Sequence, residues 1–222
     1  MRLLLVVLLP VLLGGCGGYQ LKNLAKSDID MVTDQFIAKT RSDVLELTVL
    51  LYERNPDQLA RTPGMTVEGR LAQLTVARRK LQFPELDYKQ DIDAMNLAFD
   101  PHFQGDRVFA LVVGLGSMLR EAYSYEPEMF LPDELDAQVL LTSVQNVELL
   151  LWKLKNTRQP NGEHYIITYE KRGVVDDLRF ERLFGEIIVL QETMAGIVGD
   201  EDDRTVTGTV RAVSRVFIPL PI

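Results

Sequence analysis

Enzymes need reactive side chains at workable spacing, and this chain offers few. It has only two histidines, His102 and His164, each in a turn-rich stretch, and a single cysteine, Cys16. No His-Glu-x-x-His and no paired Cys-x-x-Cys occurs, so the usual zinc ligand sets are missing from the sequence. There is no Gly-x-Ser-x-Gly elbow and no phosphate loop. Gly114-Leu115-Gly116 lacks the third glycine and the preceding strand of a dinucleotide fingerprint. Asp200-Glu201-Asp202-Asp203 presents carboxylate oxygens of the kind calcium takes. It lacks the alternating ligands, mid-loop glycine and distal glutamate of a calcium loop, and reads as a solvated acidic turn. Asp91 and Asp93, two apart on a helix, point in different directions. Arg78-Arg79-Lys80 admits two readings, an anion site or cations compensating the end of a helix dipole. The sequence therefore predicts a protein that is not an enzyme, with no catalytic residue, no metal and no cofactor.

Cys16 is the exception. It follows Leu13-Gly14-Gly15, and before these lie Arg2 and an apolar run from Leu3 to Leu13. A charged start, an apolar middle and small residues before a cleavage point make up a secretory leader. Leu13-Gly14-Gly15-Cys16 resembles the lipobox of bacterial lipoproteins. That resemblance implies a diacylglycerol on the Cys16 sulfur and cleavage between Gly15 and Cys16. Residues 1–15 are then the signal peptide and residues 16–26 the lipidated cysteine and its tether. The alternatives are an incidental cysteine in an ordinary leader, or a retained membrane helix. The run is well short of the roughly 20 residues that span a bilayer. A lone thiol, unable to pair within the chain, is also better explained by acylation. One acyl chain holds a membrane weakly, whereas two or three anchor stably. Residue 17 is Gly, not the Asp that keeps Gram-negative lipoproteins at the inner membrane. The resemblance thus implies an outer-membrane anchor with the body facing the periplasm.

The acidic balance, 24 Lys plus Arg against 32 Asp plus Glu for a net charge of −8, argues against nucleic acid, which favours a basic patch. It also gives no polybasic hold on anionic lipid. The tether, Gly17 to Lys26, reaches about 30 Å from the membrane at most.

The elements of the body follow from periodicity. Ile29, Val32, Phe36, Thr40, Val44, Leu47 and Leu51 recur at steps of three and four, predicting a helix from Ser27 to Asn55-Pro56. Further helices are expected over 66–80, 87–99, 106–123, 132–156 and 177–198, the last ended by Gly199. The stretch Val108–Leu119 is apolar nearly all round, so it reads as a buried central helix. Gly114 and Gly116 cost it roughly 1 kcal/mol each in propensity, which the close approach of another helix would compensate. Tyr165, Ile167 and Tyr169 alternate, predicting a small hairpin near 164–175. The fold class is mainly α: a single-domain bundle of about six helices over 27–222, around the central helix 108–119. This body loosely resembles uncharacterised proteobacterial lipoproteins, a resemblance that implies no activity.

Two functions follow. One is a structural or adaptor lipoprotein binding an envelope protein partner, with the membrane contacted through the lipid. Candidate partner contacts are Met129, Phe130 and Leu131, in a loop between two prolines, and Ile218, Leu220 and Ile222 in a proline-spaced tail. The other is a periplasmic binding module for a small apolar ligand. Trp152 is expected at the edge of the core.

Overall fold

The computed structural model describes residues 26–75, 80–130, 134–168 and 178–201, with the side chains of 200 and 201 outside that description. Seven α-helices form among them: α1 (Asp28–Arg54), α2 (Pro56–Leu59), α3 (Val67–Thr75), α4 (Asp91–Ala98), α5 (Arg107–Ala122), α6 (Ala137–Asn156) and α7 (Arg179–Glu201). A 3-10 turn, Pro84–Leu86, precedes α4. No described helix is long and apolar enough to cross a membrane.

The helix starts are set by side chains. Ser27 Oγ accepts from the Asp30 amide at 3.1 Å, and Asp30 Oδ2 accepts from the Ser27 amide at 2.6 Å, a reciprocal capping box. Asp106 caps α5 through the Phe109 amide, and Asp136 caps α6 through the Gln138 amide. The Asp136 cap starts α6 at Ala137, later than Pro132. At the end of α1, Asn55 precedes Pro56, whose ring disfavours helical geometry before it.

α5 is the centre, as its composition predicts. Val108 to Leu115 are all buried, with Ser117, Met118, Leu119 and Ala122. It packs most extensively on α4 and also on α1 and α6, while α7 packs on α6 and α1. A large apolar cluster fills the space around α5. A second cluster, including Ile37, Tyr123, Leu140 and Met194, closes one end.

The α4–α5 seam is unusually close. A Cβ on Gly114 would lie 2.5 Å from the Met95 amide nitrogen and 2.6 Å from the Asp91 carbonyl oxygen, both backbone atoms. The predicted helix approach at Gly114 is thus present. Gly116 is different: its Cβ would meet Leu81 at 3.5 Å and Val44 at 3.7 Å, ordinary contacts with side chains. Ser117 completes the seam, its hydroxyl accepting from the Asp91 amide at 2.6 Å.

Several boundaries differ from the sequence pattern. α4 begins at Asp91: Asp87 and Tyr88 take left-handed backbone angles after the 3-10 turn (φ 52° and 57°), and the extended Gln90 (φ −139°) then takes the N-cap position. α3 is described to Thr75; residues 76–79, with Arg78 and Arg79, lie outside the described residues. Gly199 does not end α7, which runs on to Glu201. Among the described residues of 164–175 there is no strand, only an isolated antiparallel bridge between Arg158 and His164. Asn55 takes up the backbone instead: the Ile167 amide donates to its Oδ1 at 2.7 Å, and its Nδ2 donates to the Ile167 carbonyl at 2.8 Å. Residues 169–175 lie outside the description.

Two outcomes follow from the seam. Gly114→Ala should lower stability by about 1–3 kcal/mol, because backbone must move. Gly116→Ala should be close to neutral; a urea titration reads both as a shift of midpoint at constant slope. Asp91 is the second test. Burial, partly offset by the Ser117 hydroxyl, raises its carboxyl to about 6 from 3.8. The folded protein therefore holds a proton there that the unfolded chain has released. That stabilisation is full below about pH 3.8 and is lost as pH rises through about 6. Asp91→Asn tolerates the left-handed φ of 50°. Its stability relative to the natural chain should rise by about 1–2 kcal/mol across that window. An unchanged difference between pH 4 and 7 would refute it.

Candidate functional site

Two helix faces and a turn line one of the cavities among the described residues. On α1, Ile37, Thr40, Arg41, Val44 and Leu45 recur at three and four, one face of the helix. On α5, Gly116, Leu119 and Arg120 do the same, continued by Tyr123 just past its end. Leu74 and Thr75 from the end of α3 and Leu81 close a third side. The space between them has a volume of about 340 Å³. Ile37, Val44, Leu74, Leu81, Leu119 and Tyr123 are all buried, so the interior is apolar. Gly116 keeps it open, since no side chain projects there.

The turn after α5 forms one lip. Ser124 and Tyr125 are left-handed (φ 54° and 60°), and the Tyr125 amide donates back to the Arg120 carbonyl at 2.7 Å. This aims Tyr125, Glu126 and Pro127 at the cavity wall. The Lys80 ammonium stands 5.2 Å from the Tyr125 ring centroid. Two guanidinium groups complete the rim, Arg41 exposed on α1 and Arg120 half-buried on α5. Arg120 donates to the Leu74 carbonyl at 2.7 Å. Burial, and then the neighbouring Arg41 charge, push the Arg120 guanidinium below its usual range. Behind the wall, burial pushes the Tyr123 hydroxyl up, partly offset by Gln191 against it, and Gln191 Nε2 donates weakly to Thr40 at 3.4 Å.

A second cavity of about 440 Å³ is polar, lined by Asn55, Gln58, Arg61, Arg107, Gln159 and His164 among others. Arg107 is spent on structure. Its Nη1 donates to the Ala98 carbonyl at 3.1 Å and the Asp100 carbonyl at 2.7 Å, and its Nη2 to the Phe103 carbonyl at 2.7 Å, closing the end of α4. Arg158 Nη1 lies 2.8 Å from His164 Nδ1.

The other concentration of charge is buried between α1, α3 and α5. Arg70, fully inaccessible, donates to Asp106 at 3.1 Å, Glu85 at 2.7 Å and Thr62 at 2.8 Å, and its guanidinium lies 3.8 Å from the Phe109 ring centroid. Asp106 also accepts from the Tyr52 hydroxyl at 2.7 Å and the Phe109 amide at 2.9 Å. Burial pushes the Asp106 carboxyl up against those donors, and burial with the adjacent carboxylate pushes the Tyr52 hydroxyl up, so it remains a donor. Both carboxylate oxygens are occupied and no solvent path serves them, so this cluster fastens helices together.

The sequence candidates fall unevenly. Gly15, Cys16, Leu131, Ile218, Leu220 and Ile222 lie outside the described residues, as do Asp202 and Asp203. Met129 is not an exposed contact: it is 2% exposed, packed in the end cluster, with its amide donating to Asp34 at 2.8 Å. Its loop folds back because Asp34 holds the backbone and the cluster takes the thioether. Phe130 is half-buried, with the Lys26 ammonium 4.3 Å from its ring centroid. Trp152 is 44% exposed at the edge of α6. Among the described residues no three His, Cys, Asp or Glu side chains gather as a metal site. The rim arginines were missed by sequence reasoning; the one signal was Arg41 beside the Thr40–Val44 stripe.

Removing one partner of the buried ionic cluster should be costly. Asp106→Ala strands Arg70 and Tyr52 and should cost about 3–5 kcal/mol in urea unfolding. Glu85→Ala, at a partner that is 31% exposed, should cost about 1 kcal/mol or less. Equal costs would contradict this division.

Compared with protein-family models, with curated proteins and with solved structures, the chain matches none.

Proposed function

We propose that the protein is a lipid-anchored, non-enzymatic envelope lipoprotein whose helical body holds a small, largely apolar ligand between α1, α3 and α5. The observation that carries the ligand reading is the cavity of about 340 Å³ with an apolar interior. Ligand sites are concave, mostly apolar and supplied with a few polar groups, at volumes of roughly 300–1,000 Å³. The space opens to solvent at its rim, so its apolar lining faces water unless a ligand covers it, and covering it is favourable. The anchor rests on the sequence Leu13-Gly14-Gly15-Cys16. The adaptor reading retains Phe130 as its only described contact and loses Met129 to the core.

Native mass spectrometry of the protein extracted from membranes tests both parts. The expected mass is that of residues 16–222 with acyl chains on Cys16, plus a small molecule shed on collisional heating. Gly116→Leu, which adds a side chain where a Cβ meets only ordinary contacts, should keep the acyl mass and lose the small molecule. Cys16→Ser should lose the acyl mass or retain the leader. An unmodified chain starting elsewhere refutes the anchor. A small molecule unaffected by Gly116→Leu, or none at all, refutes the cavity as the ligand site.

A further inference from the structure

We infer that the ligand of this cavity is a single-chain amphiphile with an anionic head, a fatty acid in its simplest form. Its chain lies against Val44, Leu81 and Leu119, and its carboxylate sits between Arg41 and Arg120. This rests on the cavity reading above and adds the chemistry of the head.

The argument begins with the placement of the two guanidinium groups. They come from opposite walls, Arg41 from α1 and Arg120 from α5, and both line the same apolar space. They are close enough for the charge on Arg41 to disfavour the charge on Arg120. An anion placed at this mouth meets a guanidinium from either wall. Guanidinium is suited to the task, because its planar fork matches a carboxylate in bidentate fashion. Arg120 is already oriented by its bond to the Leu74 carbonyl, so little freedom is lost when it takes a ligand oxygen.

The rim also selects by sign. The lining carries two arginines and one acid, Glu126, and at the Tyr125 lip Lys80 stands with Glu121, so the balance at the mouth is positive and a cationic head is disfavoured. A neutral head gains only hydrogen bonds. Size selects too: about 340 Å³ lies at the low end of ligand sites. A single short acyl chain fits it better than a two-chain phospholipid. The interior offers such a chain no charged side chain, and the polar spot at Thr40 and Tyr123 marks its inner wall.

Photolabelling of the full lipidated chain in phosphatidylcholine nanodiscs tests this. The probes are laurate and dodecanol, each bearing a diazirine on the chain, with adducts mapped by peptide mass spectrometry. At subsaturating concentration the laurate probe should label the peptides carrying Val44 and Leu119 in preference to the rest of the chain. It should exceed the dodecanol probe there, and unlabelled laurate should compete. Arg41→Gln, an exposed position whose loss leaves the core intact, should reduce laurate labelling about tenfold and leave dodecanol labelling unchanged. Gly116→Leu should abolish site labelling by both probes. Equal labelling by the two probes, unaffected by Arg41→Gln, overturns the anionic head while the cavity reading stands. Absence of site labelling by either probe overturns both.

Discussion

The structure depends on how closely α4 can lie against α5. At Gly114 the two backbones meet with no room for a Cβ, against the Met95 amide and the Asp91 carbonyl. Everything around α5 is built outward from that contact. Ala94, Met95 and Ala98 on α4 are small or flexible enough to bury completely there. The Ser117 hydroxyl ties the start of α4 to α5, and Arg107, from the first turn of α5, ties its end. Gly114 costs propensity in isolation, and the burial gained by close packing offsets that cost. The natural consequence is a central helix that is nearly inaccessible, with other helices placed where their apolar faces can reach it.

The buried ionic cluster has a different job. Asp106 is at once the cap of α5, the acceptor for Tyr52 on α1 and the partner of Arg70 on α3. A charge pair in the interior gains little net stability over apolar packing, but it tolerates only one arrangement of its neighbours. Three helices that would otherwise slide on an apolar surface are thereby held in one register. Fully occupied acceptors and a stacked guanidinium are poor equipment for catalysis, which needs a group free to take or give a proton.

Much of the helical framework was legible because it follows from spacing. Of the three-four stripe from Ile29 to Leu51, Thr40, Val44, Leu47 and Leu51 are buried on α1. Val32, however, is 41% exposed, and the buried positions before Thr40 are Asp30, Thr33 and Ile37. Val108 to Leu115 is buried throughout. The failures have local causes. The alternation Tyr165, Ile167 suggested a strand, yet Tyr165 and Ile166 are both buried although they are neighbours. The backbone there is satisfied by the Asn55 amide and by Arg54, more than 100 residues earlier in the chain, so no local pattern could encode it. Met129 looked exposed because it lies between prolines, and nothing nearby in sequence announces that Asp34 will capture its amide. The cavity was illegible for the same reason. Arg41 and Arg120 are ordinary helix arginines until α1 and α5 are laid side by side.

The cavity itself follows from the geometry of α5. Successive residues on a helix turn by about 100°, so Gly114 and Gly116 face nearly opposite ways. One admits α4 against the backbone. The other faces the side chains of Val44 and Leu81 at ordinary contact distances and lines the cavity. The requirement for a tight seam on one side positions α5 rigidly while its other side remains incompletely filled. Arg120, one turn beyond Gly116, and Arg41, one turn before Val44, are then carried to the mouth of that space by the same helical repeat. An alanine would fit at Gly116, where a Cβ meets two side chains at ordinary contact distance and no backbone. Gly116 thus leaves open a space whose lining also carries Arg41 and Arg120.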